Sequence, residues 1–288
     1  MSAEIWTIQQ LLTWCTEDFR KRGLDSPRLD AELLVAHALG VDRVRLYLDF
    51  ERPLVAAERA AVRALVERRR KREPVAYILG ERAFYGRMFH VGPAVLVPRP
   101  DSETLVERAL EILPKDGTAR VVDVGTGSGC LGLTIAAERP GAHVTLVDIS
   151  EDALRVARQN AERLGVMDRV TLLRSDLFAA VPVPEGGFDL IVSNPPYIPS
   201  VDVETLMPDV RQHEPRLALD GGRDGFDCVR PLVAAARGRL RAGGAVLIEL
   251  GVGQSEAGLR LLTDAGFVDV AVHRDLGRVP RVIEGRAG

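Results

Sequence analysis

The first part of the chain carries apolar residues at helical spacing. One stripe follows Thr7, whose hydroxyl can cap a helix, and it contains Ile8, Leu11, Leu12, Cys15 and Phe19. Two further stripes are set apart by glycine and proline, which end or begin helices. The pattern predicts one helix that ends at Gly23, one from Ser26-Pro27 to Gly40, and one from about Ala56 to Arg72 ahead of Pro74. Each stripe is narrow, so residues 1–73 are predicted to form a small helical bundle with one shared core.

Between residues 74 and 100 the helical spacing gives way to aromatic and β-branched residues separated by glycines. The aromatic positions are Tyr77, Phe84, Tyr85 and Phe89, and the glycines are Gly80, Gly86 and Gly92. Strand-forming residues punctuated by turn residues are typical of hairpins. We therefore predict a β-hairpin connector over 74–100.

From residue 101 to 288 short apolar runs alternate with amphipathic segments. The runs predict strands at 120–124, 143–147, 169–173, 188–193, 245–250, 267–272 and 280–284. The segments between them predict helices at about 101–113, from 129, at 151–164, at 229–240 and at 255–265. Such alternation indicates an α/β domain with a mostly parallel seven-stranded sheet covered on both faces. Ligands of these sheets bind outside the carboxyl ends of the strands.

Composition narrows the class of protein. At 288 residues and 46% hydrophobic, the chain can bury one small core and one of standard size. A net charge of −3 does not favour a general nucleic-acid binder. Cys15, Cys130 and Cys228 are too far apart for a zinc motif, and their odd number favours a reducing compartment. The start lacks signal-peptide features, and no apolar run reaches the roughly 20 residues of a membrane span. We expect a cytoplasmic monomer without a metal or a membrane contact.

A basic run, Arg68–Arg72, lies between Glu67 and Glu73. It permits two interpretations. Cations are favoured in the last turn of a helix, and the flanking acids favour a solvated helix end. The alternative is a contact with RNA.

A glycine-rich turn follows the predicted strand 120–124 directly. It consists of Gly125, Thr126, Gly127, Ser128 and Gly129. Glycine permits close approach of the backbone to a ligand, and the helix behind the turn presents N–H groups. Gly127, Gly129 and Gly132 also spell the dinucleotide fingerprint G-x-G-x-x-G. The first glycine of that fingerprint should follow the strand, and counting from Gly125 places its third glycine on Cys130.

Three acids follow or end successive predicted strands. Asp123 lies inside the first strand just before the glycine turn, Asp148 ends the second strand, and Asp176 follows the third. A carboxylate at Asp123 is unfavourable beside a pyrophosphate and suits a cationic ligand. Asp148 can accept both ribose hydroxyls, and Asp176 can accept from an adenine amine while Leu177 or Phe178 covers the ring. Each acid alone is typical of a loop or cap, but their convergence on one crevice favours a binding site.

The stretch Asn194-Pro195-Pro196-Tyr197 follows the buried strand 188–193. The two prolines cannot continue a sheet and remove two backbone donors. What remains are carbonyl oxygens, the Asn194 side-chain oxygen and the aromatic face of Tyr197. Acceptors beside a ring suit a planar group that carries an NH2, such as a carboxamide or a nucleobase amine. The alternative interpretation is a proline-capped strand end.

Together these motifs resemble a class I, Rossmann-like methyltransferase that uses S-adenosylmethionine. Several stretches resemble, more narrowly, the peptide chain release factor glutamine-N5 methyltransferase family (PrmC/HemK). They are 73–80, 96–103, 192–198, 214–215 and 218–225. The residue after the third acid is Leu177 here, where some members carry tryptophan.

The resemblance implies a function for each part. The bundle, 1–73, would recognise the substrate, and 101–288 would bind S-adenosylmethionine through the turn, the three acids, Leu177 and Asn194. The substrate would be the glutamine in the Gly-Gly-Gln loop of class 1 release factors. Asn194 and the Pro195 carbonyl would each accept one amide N–H, with Pro196 shaping the loop and Tyr197 packing on the amide plane.

Three alternatives remain open at this point. A ribosomal-protein glutamine methyltransferase would carry the same site motifs. An adenine-N6 nucleic-acid methyltransferase would need a basic, aromatic-rich region to hold a flipped base. A binding module without enzymatic activity would depend on the basic run. We expect no direct contact with nucleic acid.

Overall fold

The computed structural model describes residues 6–288. The chain divides into two compact units. One holds the chain up to Gly80 together with Pro208–His213, and the other holds Glu81–Met207 and Glu214–Gly288. None of the helices within residues 6–288 is long and apolar enough to cross a membrane.

Helices and strands are numbered in chain order. Within the described residues the α-helices are α1 (Ile8–Lys21), α2 (Pro27–Leu39), α3 (Arg43–Leu48), α4 (Ala56–Arg70), α5 (Val75–Leu79), α6 (Glu103–Ile112), α7 (Cys130–Glu138), α8 (Glu151–Arg163), α9 (Ser200–Val203), α10 (Pro208–His213), α11 (Val229–Ala236) and α12 (Ser255–Asp264). The strands are β1 (Glu81–Phe84), β2 (Arg87–His90), β3 (Ala119–Val124), β4 (Ala142–Asp148), β5 (Val170–Arg174), β6 (Phe188–Ser193), β7 (Leu240–Glu249), β8 (Val268–Arg274) and β9 (Pro280–Arg286).

The helical unit begins as its sequence pattern predicts. Thr7 and Gln10 form a reciprocal capping box, in which the Gln10 amide donates to the Thr7 hydroxyl and the Thr7 amide donates to the Gln10 side chain. Pro27 occupies the first turn of α2, and Gly40 ends it in the left-handed region with φ of 66°. The buried stripes of α1, α2 and α4 share one core.

Three helices of this unit, α3, α5 and α10, have no counterpart in the prediction. Helices α3 and α5 are only six and five residues long, too short to show a periodic stripe. Helix α5 lies in the segment that was assigned to the connector. Its Ile78 is buried in the core of the bundle, so the helical unit extends to Gly80.

The basic run at the end of α4 is only in part the solvated helix end that the charge pattern favoured, since Arg68 and Lys71 are exposed. Arg69 is buried, and its guanidinium pairs with Asp30 at 2.8 Å and with Asp209 of α10 at 2.6 Å. Arg70 pairs with Asp18 at 2.8 Å. Acids distant in the sequence neutralise these cations, and a local charge pattern cannot reveal such partners. The run therefore contributes to holding the bundle and α10 together.

The predicted hairpin is formed by β1 and β2, which pair antiparallel. Its two-residue turn consists of Tyr85 and Gly86, which both have positive φ, 47° and 70°. Turns with two positive φ angles match the right-handed twist of the strands they join. The rings of Phe84 and Phe89 are buried and meet edge to face.

The sheet has seven strands in the order β5-β4-β3-β6-β7-β9-β8. The pairs from β5 to β7 are parallel, and β9 runs antiparallel to both of its neighbours. The predicted fold class is confirmed. One core layer lies between the sheet and α6 to α8, and the other between the sheet and α11 and α12. The strand order reverses direction between β3 and β6, which makes their carboxyl ends the topological switch point of the sheet.

Candidate active site

The glycine turn 125–129 begins where β3 ends. The amides of Gly125 and Thr126 both donate to the Val147 carbonyl of β4, each at 2.9 Å. Gly125 and Gly127 have φ of 72° and 55°, values that favour glycine. A Cβ placed on either residue would meet no atom within 4 Å. The turn is therefore open on that side, and a ligand can approach its backbone.

Asp123 ties the turn to the strand and to α7. Its side chain is fully buried, and one carboxyl oxygen accepts from the Thr126 hydroxyl at 2.6 Å and from the Gly132 amide at 3.0 Å. The other oxygen has no hydrogen-bond partner within the described residues. Burial raises the pKa of this carboxyl to about 6, and its hydrogen bonds oppose that rise. The free oxygen is an unused acceptor at the base of the turn.

Asp148 ends β4 beside the same turn. Its two oxygens accept from the amides of Gly127 and Ser150, each at 2.9 Å. Burial raises the pKa of the carboxyl, and the backbone N–H groups oppose this effect. Each oxygen keeps a second lone pair. Asp148 can therefore hold the turn and still accept from two hydroxyl groups.

The third acid is placed less tightly. Asp176 is exposed, although the neighbouring Ser175 amide donates to the Asp148 carbonyl at 3.0 Å. Leu177 is half-buried and adopts a left-handed conformation with φ of 45°. Phe178 lies in the core with the Arg239 guanidinium 4.9 Å from its ring centroid, so its ring is not available to stack on a ligand. Only Leu177 of these two side chains remains to cover one.

The loop 194–197 begins next to the glycine turn. Val124 and Ser193, the last residues of β3 and β6, are paired in the sheet, and the Ser193 hydroxyl donates to the Val124 carbonyl at 2.6 Å. Pro195 is buried, whereas Asn194 and Tyr197 are half-buried. Burial raises the pKa of Tyr197 to about 12. The four predicted residues therefore lie at the strand end adjacent to the glycine turn.

Residues far along the chain hold this loop in place. The Gln254 side chain donates to the Tyr197 carbonyl at 2.8 Å. A Cβ on Gly221 would lie 2.7 Å from the Pro196 carbonyl oxygen, and one on Gly225 would lie 2.3 Å from that of Tyr197. Only glycine permits this approach. The sequence signal for these contacts is the glycine-rich stretch 218–225.

Two further side chains, Ser102 and Glu249, meet Asn194 and were not predicted from the sequence to belong to the site. The Asn194 Nδ2 donates to the Ser102 hydroxyl at 3.2 Å. Glu249, at the end of β7, is 1% exposed, and burial raises its pKa to about 7. One signal was available: Glu249 is an acid within the otherwise apolar run 245–250.

Asn160 of α8 is the third missed residue. It is fully buried and donates to the Ser128 carbonyl at 2.8 Å. The same side chain accepts from the His90 amide at 2.6 Å and donates to its carbonyl at 3.0 Å. It therefore joins the glycine turn to strand β2 of the hairpin. On an amphipathic helix a single asparagine gives no signal of this role.

The site fits S-adenosylmethionine. It presents an open glycine turn, a buried carboxylate with an unused oxygen, and a second carboxylate that keeps free lone pairs. Acidic acceptors at this edge suit a ligand with a ribose and a positive charge. Strand β3 ends at Val124, so Gly125 does follow the strand, and the dinucleotide register fails at Cys130 as the sequence indicates.

Two family models match the chain. A model described as the PrmC N-terminal domain matches residues 10–80, and one described as the methyltransferase small domain matches residues 102–211. Among solved structures, a methyltransferase from Pyrococcus furiosus superposes with a TM-score of 0.53 at 22% identity. That superposition covers 72% of this chain and 91% of the other. At this identity it supports the fold alone.

The fold and the site define an S-adenosylmethionine-dependent methyltransferase. Relatives of known sequence identify the family within this class of enzymes. The release factor glutamine methyltransferase of Geobacter sulfurreducens is 47% identical over 285 residues, which cover 99% of this chain and 98% of the relative. That of Chlorobaculum tepidum is 43% identical, with 96% of each chain covered. The chain belongs to the release factor glutamine methyltransferase family.

Proposed function

We propose that this protein methylates the side-chain amide nitrogen, N5, of the glutamine in the Gly-Gly-Gln loop of class 1 peptide chain release factors. The observation that carries the proposal is the adjacency of two loops. Val124 and Ser193 are paired neighbours, so the glycine turn and Asn194 start from adjacent strand ends. A methyl donor on the first loop and a planar amide on the second can meet there.

We assign the cofactor contacts to the first loop and its acids. S-adenosylmethionine, when bound, supplies an electrophilic methyl group. Asp148 accepts the ribose hydroxyls, and the backbone of 125–129 forms the floor of the site. Asp176 would accept from the adenine amine and Leu177 would cover the ring, and Asp123 would offer its unused oxygen to the polar end of the ligand.

We assign orientation of the substrate to the loop Asn194–Tyr197, which is called the substrate loop below. An amide nitrogen is a weak nucleophile, because its lone pair is delocalised into the carbonyl. The Asn194 side-chain oxygen and the Pro195 carbonyl each accept one N–H, which fixes the nitrogen and aims its lone pair. Tyr197, whose raised pKa keeps it neutral, packs on the amide plane. Positioning of this kind can supply roughly 7–11 kcal/mol.

No strong base is required of the protein. In the net reaction the amide nitrogen gains an N–CH3 bond as the S–CH3 bond of the sulfonium breaks, and S-adenosylhomocysteine and one proton from the amide are released. The amide becomes strongly acidic as its nitrogen is alkylated, so the proton can pass to water after the transfer.

We assign recognition of the release factor to the helical unit. It exposes Trp14, and the Arg70 guanidinium lies 5.3 Å from the centroid of the Trp14 ring. Exposed tryptophan and arginine are enriched at protein interfaces. Replacing Trp14 with alanine should raise KM for the whole release factor and leave KM for a short Gly-Gly-Gln peptide unchanged. An equal change in KM for both substrates would mean that the helical unit does not recognise the release factor.

The test of the function is mass spectrometry of a purified class 1 release factor after incubation with the protein and S-adenosylmethionine. A single added methyl group on the Gly-Gly-Gln peptide is the expected result. A release factor with Gly-Gly-Glu is the matched control, since it keeps the shape and lacks the amide nitrogen. Methylation of ribosomal protein or of adenine in DNA, with none on the release factor, would favour the alternative substrates.

A further inference from the structure

Glu249 is a buried glutamate next to the substrate loop. The mechanism proposed above gives it no role. It lies one residue beyond Ile248, which pairs with Ser193 of β6. Residues two apart in a strand share a face, and Leu247 packs in the core layer of α6. The Glu249 side chain therefore points toward the start of α6, where Ser102 lies.

The neighbours of Glu249 are polar side chains of the site. The Ser102 hydroxyl and the Asn194 amide hydrogen-bond to its carboxyl and lower its pKa, against the larger effect of burial. Its Oε2 has no partner within the described residues. Leaving a buried acceptor unused costs free energy, so a carboxyl kept in such a place calls for an explanation beyond stability.

The mechanism poses a problem of orientation at Asn194. The oxygen and the NH2 of an asparagine side chain have nearly the same shape, so packing alone does not choose between them. Only the oxygen can accept the N–H of a substrate amide. If the side chain were flipped, its NH2 would face the substrate NH2, and the contact would be repulsive.

We propose that Glu249 and Ser102 are positioning residues that hold the Asn194 amide with its oxygen toward the substrate. This inference rests on the function proposed above. A carboxylate only accepts hydrogen bonds, whereas a serine hydroxyl both donates and accepts. Because the Ser102 hydroxyl donates to the Glu249 carboxylate, the Ser102 oxygen is left to accept from the Asn194 Nδ2, in agreement with the 3.2 Å contact. The acceptor-only group at one end sets the direction of the whole chain of bonds.

Protonation of Glu249 would remove the preference for this orientation of the Asn194 amide. A neutral carboxyl carries its own O–H, which can donate to Ser102 or to the Asn194 oxygen. The charged groups around it are Arg281 of β9, which favours ionisation, and Asp101, which opposes it. Tyr197 and Cys130 also lie within its electrostatic reach, and both stay neutral because burial raises their pKa. Activity should therefore be present above the pKa of Glu249 and fall as the pH decreases through it.

The experiment compares kcat against pH for the wild type, Glu249→Gln and Glu284→Gln, at saturating S-adenosylmethionine and release factor. Glutamine keeps the shape at position 249 but adds a donor and cannot titrate. Glu284 is the matched control, because it is a buried glutamate, 3% exposed, on the neighbouring strand β9 and bonds to Arg108 and His273 instead of the site. Calorimetry with S-adenosylhomocysteine reports cofactor affinity for each protein.

We expect Glu249→Gln to lower kcat about tenfold or more, since a charge-assisted hydrogen bond is lost. The fall in kcat below about pH 7 should disappear in this variant, with cofactor affinity unchanged, and Glu284→Gln should keep both the wild-type kcat and its pH profile. Wild-type kcat with an unaltered pH profile in Glu249→Gln would overturn the inference, as would the same loss in the control.

Two further outcomes are informative. If Glu249→Gln does not fold, Ser102→Ala decides the matter: a severalfold lower kcat at unchanged KM supports the inference, and wild-type kcat overturns it. If the wild-type protein leaves the release factor unmethylated, the proposed function fails, independently of either variant.

Discussion

The glycine turn 125–129 and the loop 194–197 end neighbouring strands, yet they are held in different ways. The turn is held mostly by residues close to it in sequence or on the next strand: Asp123, Gly132 and Asp148. The loop is held by Ser102, Gly221, Gly225, Glu249 and Gln254, which come from four other parts of the chain.

The difference follows from what each loop offers. The turn presents backbone to its ligand, so local geometry and one buried carboxylate are enough to shape it. In the proposed function the loop 194–197 must present the side-chain oxygen of Asn194, and its two prolines cannot donate hydrogen bonds to the surrounding structure. Its orientation therefore depends on side chains supplied from a distance. Damage to one loop should leave the function of the other intact.

The largest difference between the effect on methyl transfer and the effect on cofactor binding is expected for Asn194→Ala. Removing the oxygen that orients the substrate should lower methyl transfer about a hundredfold or more, since positioning supplies most of the catalysis. Cofactor affinity should be nearly unchanged, because the glycine turn and its acids, which make the other cofactor contacts, remain. Single-turnover transfer to the release factor and calorimetry with S-adenosylhomocysteine measure the two effects. Asn194→Asp, which keeps an acceptor, should retain part of the activity, and full activity in the alanine variant would rule out the orienting role.

Asp148→Ala is expected to act in the opposite way. Two ribose hydroxyls would lose their acceptor in a partly dry site, which costs roughly 1–3 kcal/mol and weakens cofactor binding about tenfold or more. At saturating cofactor, kcat should stay close to the wild-type value. Calorimetry and steady-state kinetics give both numbers. Unchanged affinity would mean that the ribose lies elsewhere.

Gly225→Ala tests how rigidly the substrate loop is held. The residue has φ of 82°, and its Cβ would lie 2.3 Å from the Tyr197 carbonyl oxygen, so the loop must move. The left-handed conformation alone costs an alanine roughly 1–2 kcal/mol. We expect severalfold slower methylation, lower thermal stability and normal cofactor affinity. Gly238→Ala is the control, because its Cβ would meet nothing within 4 Å, and a similar loss there would mean that contact with the loop is not the cause.

The smallest effect concerns stability against pH. Burial raises the pKa of Glu249 from 4.5 to about 7 and that of Asp123 from 3.8 to about 6. Between the lower and upper value of each pair the unfolded chain is ionised and the folded chain is not, so stability falls as the pH rises through this range. Glu249→Gln should flatten the fall by on the order of 1 kcal/mol, as measured by urea unfolding at several pH values. An unchanged slope would mean that Glu249 ionises normally in the folded protein.

The same contrast explains what could be predicted from the sequence. The sheet could be predicted because its strands are continuous apolar runs and its helices carry apolar stripes. The glycine turn, Asp123 and Asp148 could be predicted because the residues that shape the turn lie beside it in the sequence or at the end of the next strand. The loop Asn194–Tyr197 could be predicted because two prolines in a row cannot continue the buried strand that precedes them.

What escaped prediction depends on tertiary contacts. Asn160 has no local feature that marks it, and it becomes informative only when α8 brings it to Ser128 and His90. Ser102 could be expected to cap α6, but its hydroxyl instead accepts from Asn194. The partners of Arg69 follow the same rule, since Asp30 and Asp209 come from widely separated parts of the chain.

Helix α10 has a consequence for how this protein can be divided. It belongs to the helical unit although it lies between β6 and β7, so the chain crosses the unit boundary at 80–81, at 207–208 and at 213–214. A truncated chain that begins at Glu81 would still carry Asp209, but without Arg69, its partner at 2.6 Å. Gene fusions that exchange the helical unit between relatives must therefore transplant two separate pieces of sequence. The helical unit is therefore encoded in two stretches, and the second of them lies inside the sequence of the α/β unit.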